Sequence, residues 1–243
     1  RTIRQGLMYG TRARIGLLVP SANTTVEPEF NALVPEGVSV HAARMLLTHG
    51  TVDQLARMVV DMERAAELLA TARPSIMVFA DTTGSLYGGP GWDGELISRI
   101  ERIAGVPATT TATAVMHAFR EMGITKVCVG TPYHPELNQV VASGLERNGI
   151  TVLGIKGLGL TTEEMHRLPL EKYVALAHEV DRPEAEAVFL SCTNLKAIPI
   201  IDRLERELGK YVISSNIATF WEVMRRLGIR EPVQGRGRLL ASL

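Results

Sequence analysis

Met77-Val78-Phe79-Ala80-Asp81-Thr82 and Val188-Phe189-Leu190-Ser191-Cys192-Thr193 are two versions of one pattern, 111 positions apart (192 minus 81). Outward from them the agreement continues. Gly37 to Val40 (GVSV) is answered by Gly149 to Val152 (GITV), and Val19-Pro20-Ser21 by Thr131-Pro132-Tyr133, both at a spacing of 112 (149 minus 37). Thr109-Thr110-Thr111 is answered by Ser214-Ser215-Asn216, and Met122-Gly123-Ile124 by Leu227-Gly228-Ile229, at 105 (229 minus 124). Solenoid repeats are far shorter, about 20 to 50 residues, so the reading is a duplicated α/β lobe. A pseudo-dyad sets equivalent residues facing each other across a cleft. The equivalent pair with reactive side chains is Asp81 and Cys192, and function is expected between them.

The chain's 243 residues hold two such lobes. The expected division is residues 1–118 with 215–243 as the first lobe and 119–214 as the second. Lys plus Arg and Asp plus Glu both number 26, and no basic block tracks a phosphate backbone, so nucleic acid is not an expected partner. No apolar run reaches the roughly 20 residues of a membrane span, and the N-terminal RTIRQGLMYG lacks a signal peptide's apolar core. A cytoplasmic protein is expected. Cys128 and Cys192 form no CxxC or zinc spacing, as suits free thiols in a reducing compartment. His41, His49, His117, His134, His166 and His178 make no paired-ligand motif; surface or capping roles are expected, and no metal.

Apolar runs alternate with helix-period stretches. Ile15 to Val19, Val38 to His41, Ile76 to Ala80, Lys126 to Gly130, Thr151 to Ile155, Ala187 to Ser191 and Tyr211 to Ile213 read as buried strands. Val52 to Ala72, Trp92 to Ala104, Pro135 to Asn148, Leu170 to Val180, Ala197 to Leu208 and Ala218 to Leu227 read as amphipathic helices, several closing at glycine. The fold class is therefore α/β: two pseudosymmetric lobes, each a doubly wound, mostly parallel sheet flanked by helices, with the site in the cleft between them.

In such sheets ligands bind beyond the carboxyl ends of the strands. There the sequence places Pro20-Ser21-Ala22-Asn23-Thr24, Asp81-Thr82-Thr83-Gly84-Ser85, Thr109-Thr110-Thr111, Pro132-Tyr133-His134, Cys192-Thr193-Asn194 and Ser214-Ser215-Asn216. Ser, Thr and Asn before a helix are capping residues first. The same positions offer hydroxyls beside free N–H groups, a cradle for an oxyanion. Two cradles related by a dyad suit a small dicarboxylate. No GxGxxG or GxxxxGK[ST] follows a strand, which disfavours a nucleotide, and Gly88-Gly89-Pro90-Gly91 reads as a loop.

Cys192 ends one strand and is read as opening a helix, a setting that favours thiolate and lowers a thiol's pKa. Cys128 lies mid-strand and reads as core. Asp81 either caps its helix or, as the dyad partner of Cys192, serves as the second acid/base group: two titratable groups on opposite faces of one carbon are what stereochemical proton transfer requires. Tyr133 is placed to donate to a carboxylate or enolate oxygen.

PSANTTVEPEF (Pro20 to Phe30), DTTGSLYGGPG (Asp81 to Gly91), PATTTATAV (Pro107 to Val115), TPYHPELN (Thr131 to Asn138) and FLSCTNLKAIPIIDRLERELGKYVISSNIATFW (Phe189 to Trp221) together resemble the aspartate/glutamate racemase superfamily, in the branch of maleate cis-trans isomerases and arylmalonate decarboxylases. The resemblance runs from about Ile15 to Ile229. It implies an enzyme without cofactor or metal that works next to a carboxylate through an enolate-like state. It further implies Cys192 as acid/base or proton donor, Asn23 as a carboxylate binder, Tyr133 as the shared site tyrosine, and Thr82 and Thr83 as the hydroxyl pair of a dioxyanion hole with the Thr193 backbone on its far side. The departure is Asp81, where racemases and maleate isomerases carry their first cysteine and the decarboxylase a glycine. The isomerases' further site asparagine has no counterpart in Leu160 to Met165 (LTTEEM).

Three readings follow. The first is a cofactor-independent isomerase or racemase acting by proton transfer α to a carboxylate, with Cys192 and Asp81 catalytic and Pro20, Ser21, Asn23, Thr82, Thr83, Tyr133, Thr193, Asn194, Ser214 and Ser215 binding substrate. The second is an arylmalonate-type decarboxylase with Cys192 as sole proton donor. The third is a non-catalytic dicarboxylate-binding protein, against which the thiol argues. The expected partners are a small carboxylate or dicarboxylate and further copies of the chain in a homo-oligomer.

Overall fold

The computed structural model describes residues 9–48 and 51–243. Most of the stretch read for a signal peptide, and His49, lie outside the described residues. In chain order the elements are β1 (Ala13–Pro20), α1 (Val26–Leu33), β2 (Val38–Met45), α2 (Val52–Ala70), β3 (Ile76–Phe79), α3 (Thr82–Leu86), α4 (Trp92–Ala104), β4 (Ala108–Thr110), α5 (Thr111–Glu121), β5 (Lys126–Thr131), α6 (Pro135–Arg147), β6 (Thr151–Gly157), α7 (Thr162–Arg167), α8 (Leu170–Val180), β7 (Ala187–Leu190), α9 (Ile198–Leu208), β8 (Tyr211–Ser214), α10 (Ser215–Arg226) and α11 (Arg238–Ala241). Among these residues no helix is long and apolar enough to cross a membrane.

The strands form two four-stranded parallel sheets, ordered β2-β1-β3-β4 and β6-β5-β7-β8. Adding four to each label of the first order gives the second, so the internal repeat is one topology used twice. Central strands β3 (IMVF) and β7 (AVFL) are buried at every position, as the apolar runs of a sheet covered on both faces must be. In each sheet the winding reverses between its two central strands, and loops at such a switch point leave a crevice at the strands' carboxyl ends. Those loops carry Pro20 to Thr24 after β1, Asp81 after β3, Thr131 to His134 after β5, and Cys192 to Leu195 after β7.

Several elements differ from the sequence reading. Ala108–Thr110 pairs with β3 as a fourth strand; its three residues are too few to show a strand period. Helix α1 forms in a stretch to which the sequence reading gave no element, its Pro28 being tolerated in a helix's first turn, and α5 begins at Thr111, which was read as rim. Helix α10 starts at Ser215 rather than Ala218, because the Ser214 hydroxyl accepts from the Ile217 N–H (3.2 Å) and caps it. The Gly88 to Gly91 loop joins α3 to α4, with Gly91 left-handed at φ 77° as the helix N-cap.

The two halves meet closely where α3 packs on α6. Gly144 of α6 is buried there, and a Cβ on it would lie 2.8 Å from Leu86 Cδ2 and 3.0 Å from Leu86 Cβ. Leu86 Cβ belongs to its helix and cannot swing away. Gly144→Val is therefore expected to cost about 1–3 kcal/mol, the usual range for overpacking, read as a lowered urea midpoint. A variant as stable as the parent would mean that the two helices do not touch.

Candidate active site

A cavity of about 250 Å³ opens at the carboxyl ends of both sheets. Its polar wall comes from Asn23, Asp81, Thr83, Tyr133, Cys192, Thr193 and Asn194, with Pro20 and Ala22 beside them. Its apolar wall comes from Leu47, Leu55, Leu137, Leu160 and Met165, and Thr51, Thr161, Thr162 and His134 complete it. Among the described residues no lysine or arginine lines it.

Asp81 caps α3. Its Oδ1 accepts from the Gly84 N–H (2.5 Å) and from the Thr83 hydroxyl (3.1 Å). Both bonds fall on one oxygen, which leaves Oδ2 for the cavity. The residue is 6% exposed, and burial raises its carboxyl pKa against those hydrogen bonds. The helix cap that the sequence offered as one reading of Asp81 is formed, and the same residue lines the cavity.

Cys192 corrects the sequence reading. It does not open a helix: α9 begins only at Ile198, and between them runs a turn in which the Leu195 N–H bonds the Cys192 carbonyl (3.2 Å) and the Asn194 N–H bonds Cys192 Sγ (3.2 Å). Burial pushes the thiol up to about 12, outweighing the Tyr133 hydroxyl and the Asn194 N–H that favour thiolate, while the nearby Asp81 carboxylate adds to the rise. A proton therefore sits on sulfur in the resting site. Cys128 is core as expected and is also raised, by burial and then by Asp181.

Tyr133 lines the same cavity. Burial, then Cys192 and Asp81, raise its phenol well above the ordinary value, and its hydroxyl is within hydrogen-bonding reach of Cys192 and Thr83. Its backbone is fixed by β6: a Cβ on Gly157 would fall 2.1 Å from the Tyr133 carbonyl oxygen, so only glycine fits there.

Asn23 and Asn194 tie the halves together. Asn23 Nδ2 donates to Thr193 Oγ1 (2.9 Å), while its Oδ1 accepts from the Thr25 and Val26 N–H groups (2.8 and 3.0 Å) and caps the start of α1. Asn194 Oδ1 accepts from the Thr24 N–H and the Thr25 hydroxyl, each at 3.0 Å. These bonds leave the Thr193 hydroxyl proton and the Asn194 amide as donors toward the cavity.

Four expected binding residues do not line it. Ser21 exchanges hydrogen bonds with the Leu47 backbone (3.2 and 3.0 Å). Thr82 donates to Ser215 (2.8 Å), since consecutive helix residues point about 100° apart and only Thr83 faces inward. Ser215 is buried in that bond, and Ser214 is spent on its cap. The sequence reading in turn missed the apolar wall and α7, although Thr161 and Glu164 spell a capping box that the structure forms. Of the histidines, His134 lines the cavity, and His166 Nε2 meets the Ala22 carbonyl (3.0 Å), joining α7 to the loop after β1. Among the described residues no cluster of three or more His, Cys, Asp or Glu is placed to hold a metal ion.

Alkylation reports the thiol directly, because only thiolate reacts. The rate of Cys192 modification by iodoacetamide is expected to keep climbing between about pH 7 and about pH 10 without a plateau. A plateau below about pH 9 would show that helix-like stabilisation of the thiolate, not burial, sets its pKa.

Comparison with known proteins agrees with this architecture. The chain is 32% identical over 238 residues to a maleate isomerase of Nocardia farcinica, covering 93% of this chain and 95% of the relative. It is 30% identical over 219 residues to an arylmalonate decarboxylase of Bordetella bronchiseptica, covering 88% and 90%. It superposes with a TM-score of 0.89 on a cysteine-to-serine mutant of the Nocardia farcinica maleate cis-trans isomerase with a covalently bound succinylcysteine intermediate, at 29% identity over 94% of this chain and 98% of the other. The family sequence model for arylmalonate decarboxylase matches residues 15–240, and the chain belongs to that family.

Proposed function

We propose that the protein moves a proton at the carbon α to a carboxylate, with Cys192 and Asp81 as its two acid/base groups, and so acts as an isomerase or racemase. The observation that carries this reading is their placement: a thiol and a carboxyl at equivalent strand ends of two equivalent sheets, lining one cavity with Tyr133, whose hydroxyl is within reach of the thiol. Asp81 Oδ2 takes the α-proton and the C–H electron pair passes into the enolate. The Cys192 S–H then delivers its proton to the opposite face, leaving thiolate, which the Tyr133 hydroxyl stabilises. The reverse direction starts from protonated Asp81 and that thiolate. Thr193 and Asn194 offer the substrate carboxylate neutral donors, and Leu47, Leu55, Leu160 and Met165 receive an apolar arm. A covalent route like the succinylcysteine of the Nocardia relative is not proposed, because a carboxylate adds poorly to an activated alkene and leaves easily.

The apolar wall favours a second reading, decarboxylation of a substituted malonate. Here the C–CO₂⁻ bond breaks, its electrons form the enolate, the Cys192 S–H protonates one face, and the thiolate regains a proton from water. Asp81 then only shapes the pocket. For the chain's division, the packing of α10 on α5 supports counting the segment after Ser214 with the first lobe.

Substituted malonates, succinates and arylpropionates incubated in heavy water separate the readings by NMR. Under the first, deuterium enters the α-carbon on both faces, Asp81→Asn abolishes entry on one face, and Cys192→Ser lowers turnover by at least about a hundredfold, the low end of general acid/base contributions. Under the second, carbon dioxide is released and Asp81→Asn keeps single-face protonation. Two-face exchange that survives Asp81→Asn unchanged would reduce Asp81 to a helix cap.

A further inference from the structure

Helix α9 has no side-chain cap of its own: Ala197 holds the N-cap position and Pro199 follows inside the first turn. The missing acceptor comes from the other half of the chain. Glu29 of α1 places Oε1 on the Ile198 N–H (3.2 Å) and also faces the Ala197 N–H, while its Oε2 accepts from Asn216 Nδ2 of α10 (2.6 Å). The same Nδ2 donates its second hydrogen to the Thr193 carbonyl (3.0 Å). Asn216 is buried, and its Oδ1 has no partner among the described residues. A buried carbonyl oxygen left unpaired is costly, and turning the amide would aim that oxygen at a carboxylate and a carbonyl. The side chain is thus held by its two donor bonds alone.

We propose that Glu29 and Asn216 are positioning residues for Cys192. Thr193, next to Cys192, is gripped twice: at its hydroxyl by Asn23 and at its carbonyl by Asn216. The far end of the turn, at Ile198, is gripped by Glu29. Between those anchors the backbone that aims the thiol has little freedom. This rests on Cys192 being the reacting group of the proposed function, whereas the anchoring itself is independent of any substrate.

The carboxylate form of Glu29 makes the device. The groups facing it are the Asn216 amide from α10 and the Ala197 and Ile198 N–H groups from α9; Arg44 of β2 is paired instead with Glu27, and among the described residues no ion pair reaches Glu29. Glu29 is only half-buried as a residue, yet its carboxyl is enclosed by these donors, and burial raises its pKa to about 7. Below that value one oxygen becomes an O–H donor opposed to a donor, and one anchor is lost.

Hydrogen exchange by mass spectrometry on the full chain, corrected for intrinsic rates, tests this at about pH 6 and about pH 8. In the parent, amides of residues 193–198 are expected to exchange about tenfold faster at the lower pH, the loss of one charge-assisted hydrogen bond. In Glu29→Gln the segment is fast at both values, and Asn216→Ser loosens the Thr193 end alone. Iodoacetamide modification of Cys192 should quicken several-fold in both variants and lose its break near pH 7 in Glu29→Gln, with Cys128 as internal reference. Exchange across β1 to β4 unchanged from the parent shows that each variant is folded. Parent-like protection at 193–198 in Glu29→Gln, or loosened amides without change in Cys192 reactivity, would overturn the proposal. Neither readout uses turnover, so failure of the proposed reaction would leave this result standing.

Discussion

Burial without a countercharge governs this site. Asp81, Tyr133 and Cys192 share one enclosed cavity in which the described residues include no lysine or arginine, and in all three burial is the largest influence, pushing each acid up. A site so arranged binds each of these protons more tightly than the same group would in water. The native state holds them more tightly than the unfolded chain does, so stability falls as pH rises from the unfolded pKa of each group toward its raised native value. Ionised Asp81 therefore carries a standing cost above the ordinary carboxylate range, and thiolate at Cys192 carries one that begins above about pH 9. The result is a proton held on sulfur near a carboxyl that binds protons more tightly than usual, the pairing on which the proposed α-carbon chemistry rests.

The cost is tolerated because the two halves are stitched by uncharged hydrogen bonds around the cavity. Asn23 to Thr193 and Thr24 and Thr25 to Asn194 cross between the halves, while Thr82 to Ser215 and Thr219 to Thr111 tie the segment after Ser214 back onto the first; all join residues more than a hundred positions apart and are buried or partly so. Phe30 packs edge-on against Phe220 behind them, with ring centroids 5.4 Å apart. Several residues that the sequence marks as substrate binders belong to this seam. Small hydroxylated side chains at strand ends serve as ligand donors or as lobe connectors by the same chemistry, and only direction decides which: Thr83 looks inward and Thr82 across.

Most of the architecture was legible because the repeat and the strand-end pattern are local in sequence. Asp81 and Cys192 at equivalent strand ends followed from spacing, Tyr133 and Asn23 on the rim followed from the strand-end pattern, and Asn23 was singled out there only by the family resemblance. The protonation of Cys192 did not, since it depends on how Asn194 and Leu195 turn the chain before α9 and on enclosure by distant residues. Leu47, Leu55, Leu160 and Met165 looked like ordinary apolar positions, and nothing local marks them as one wall. Glu29 was hidden for the same reason: nothing local marks it, and its partners, Ile198 and Asn216, lie more than 160 residues away in sequence. The strand Ala108–Thr110 was lost to its brevity.

The central claim is that one α-carbon sits between Cys192 and Asp81. A crystal structure of the protein soaked with malonate or phenylmalonate tests it most directly. The account predicts a carboxylate against Thr193 and Asn194, any aromatic arm against Leu47 and Met165, and the α-carbon with Cys192 Sγ on one face and Asp81 Oδ2 on the other. Carboxylate density found only outside this cavity at saturating ligand, or an α-carbon with both side chains on the same face, would contradict it.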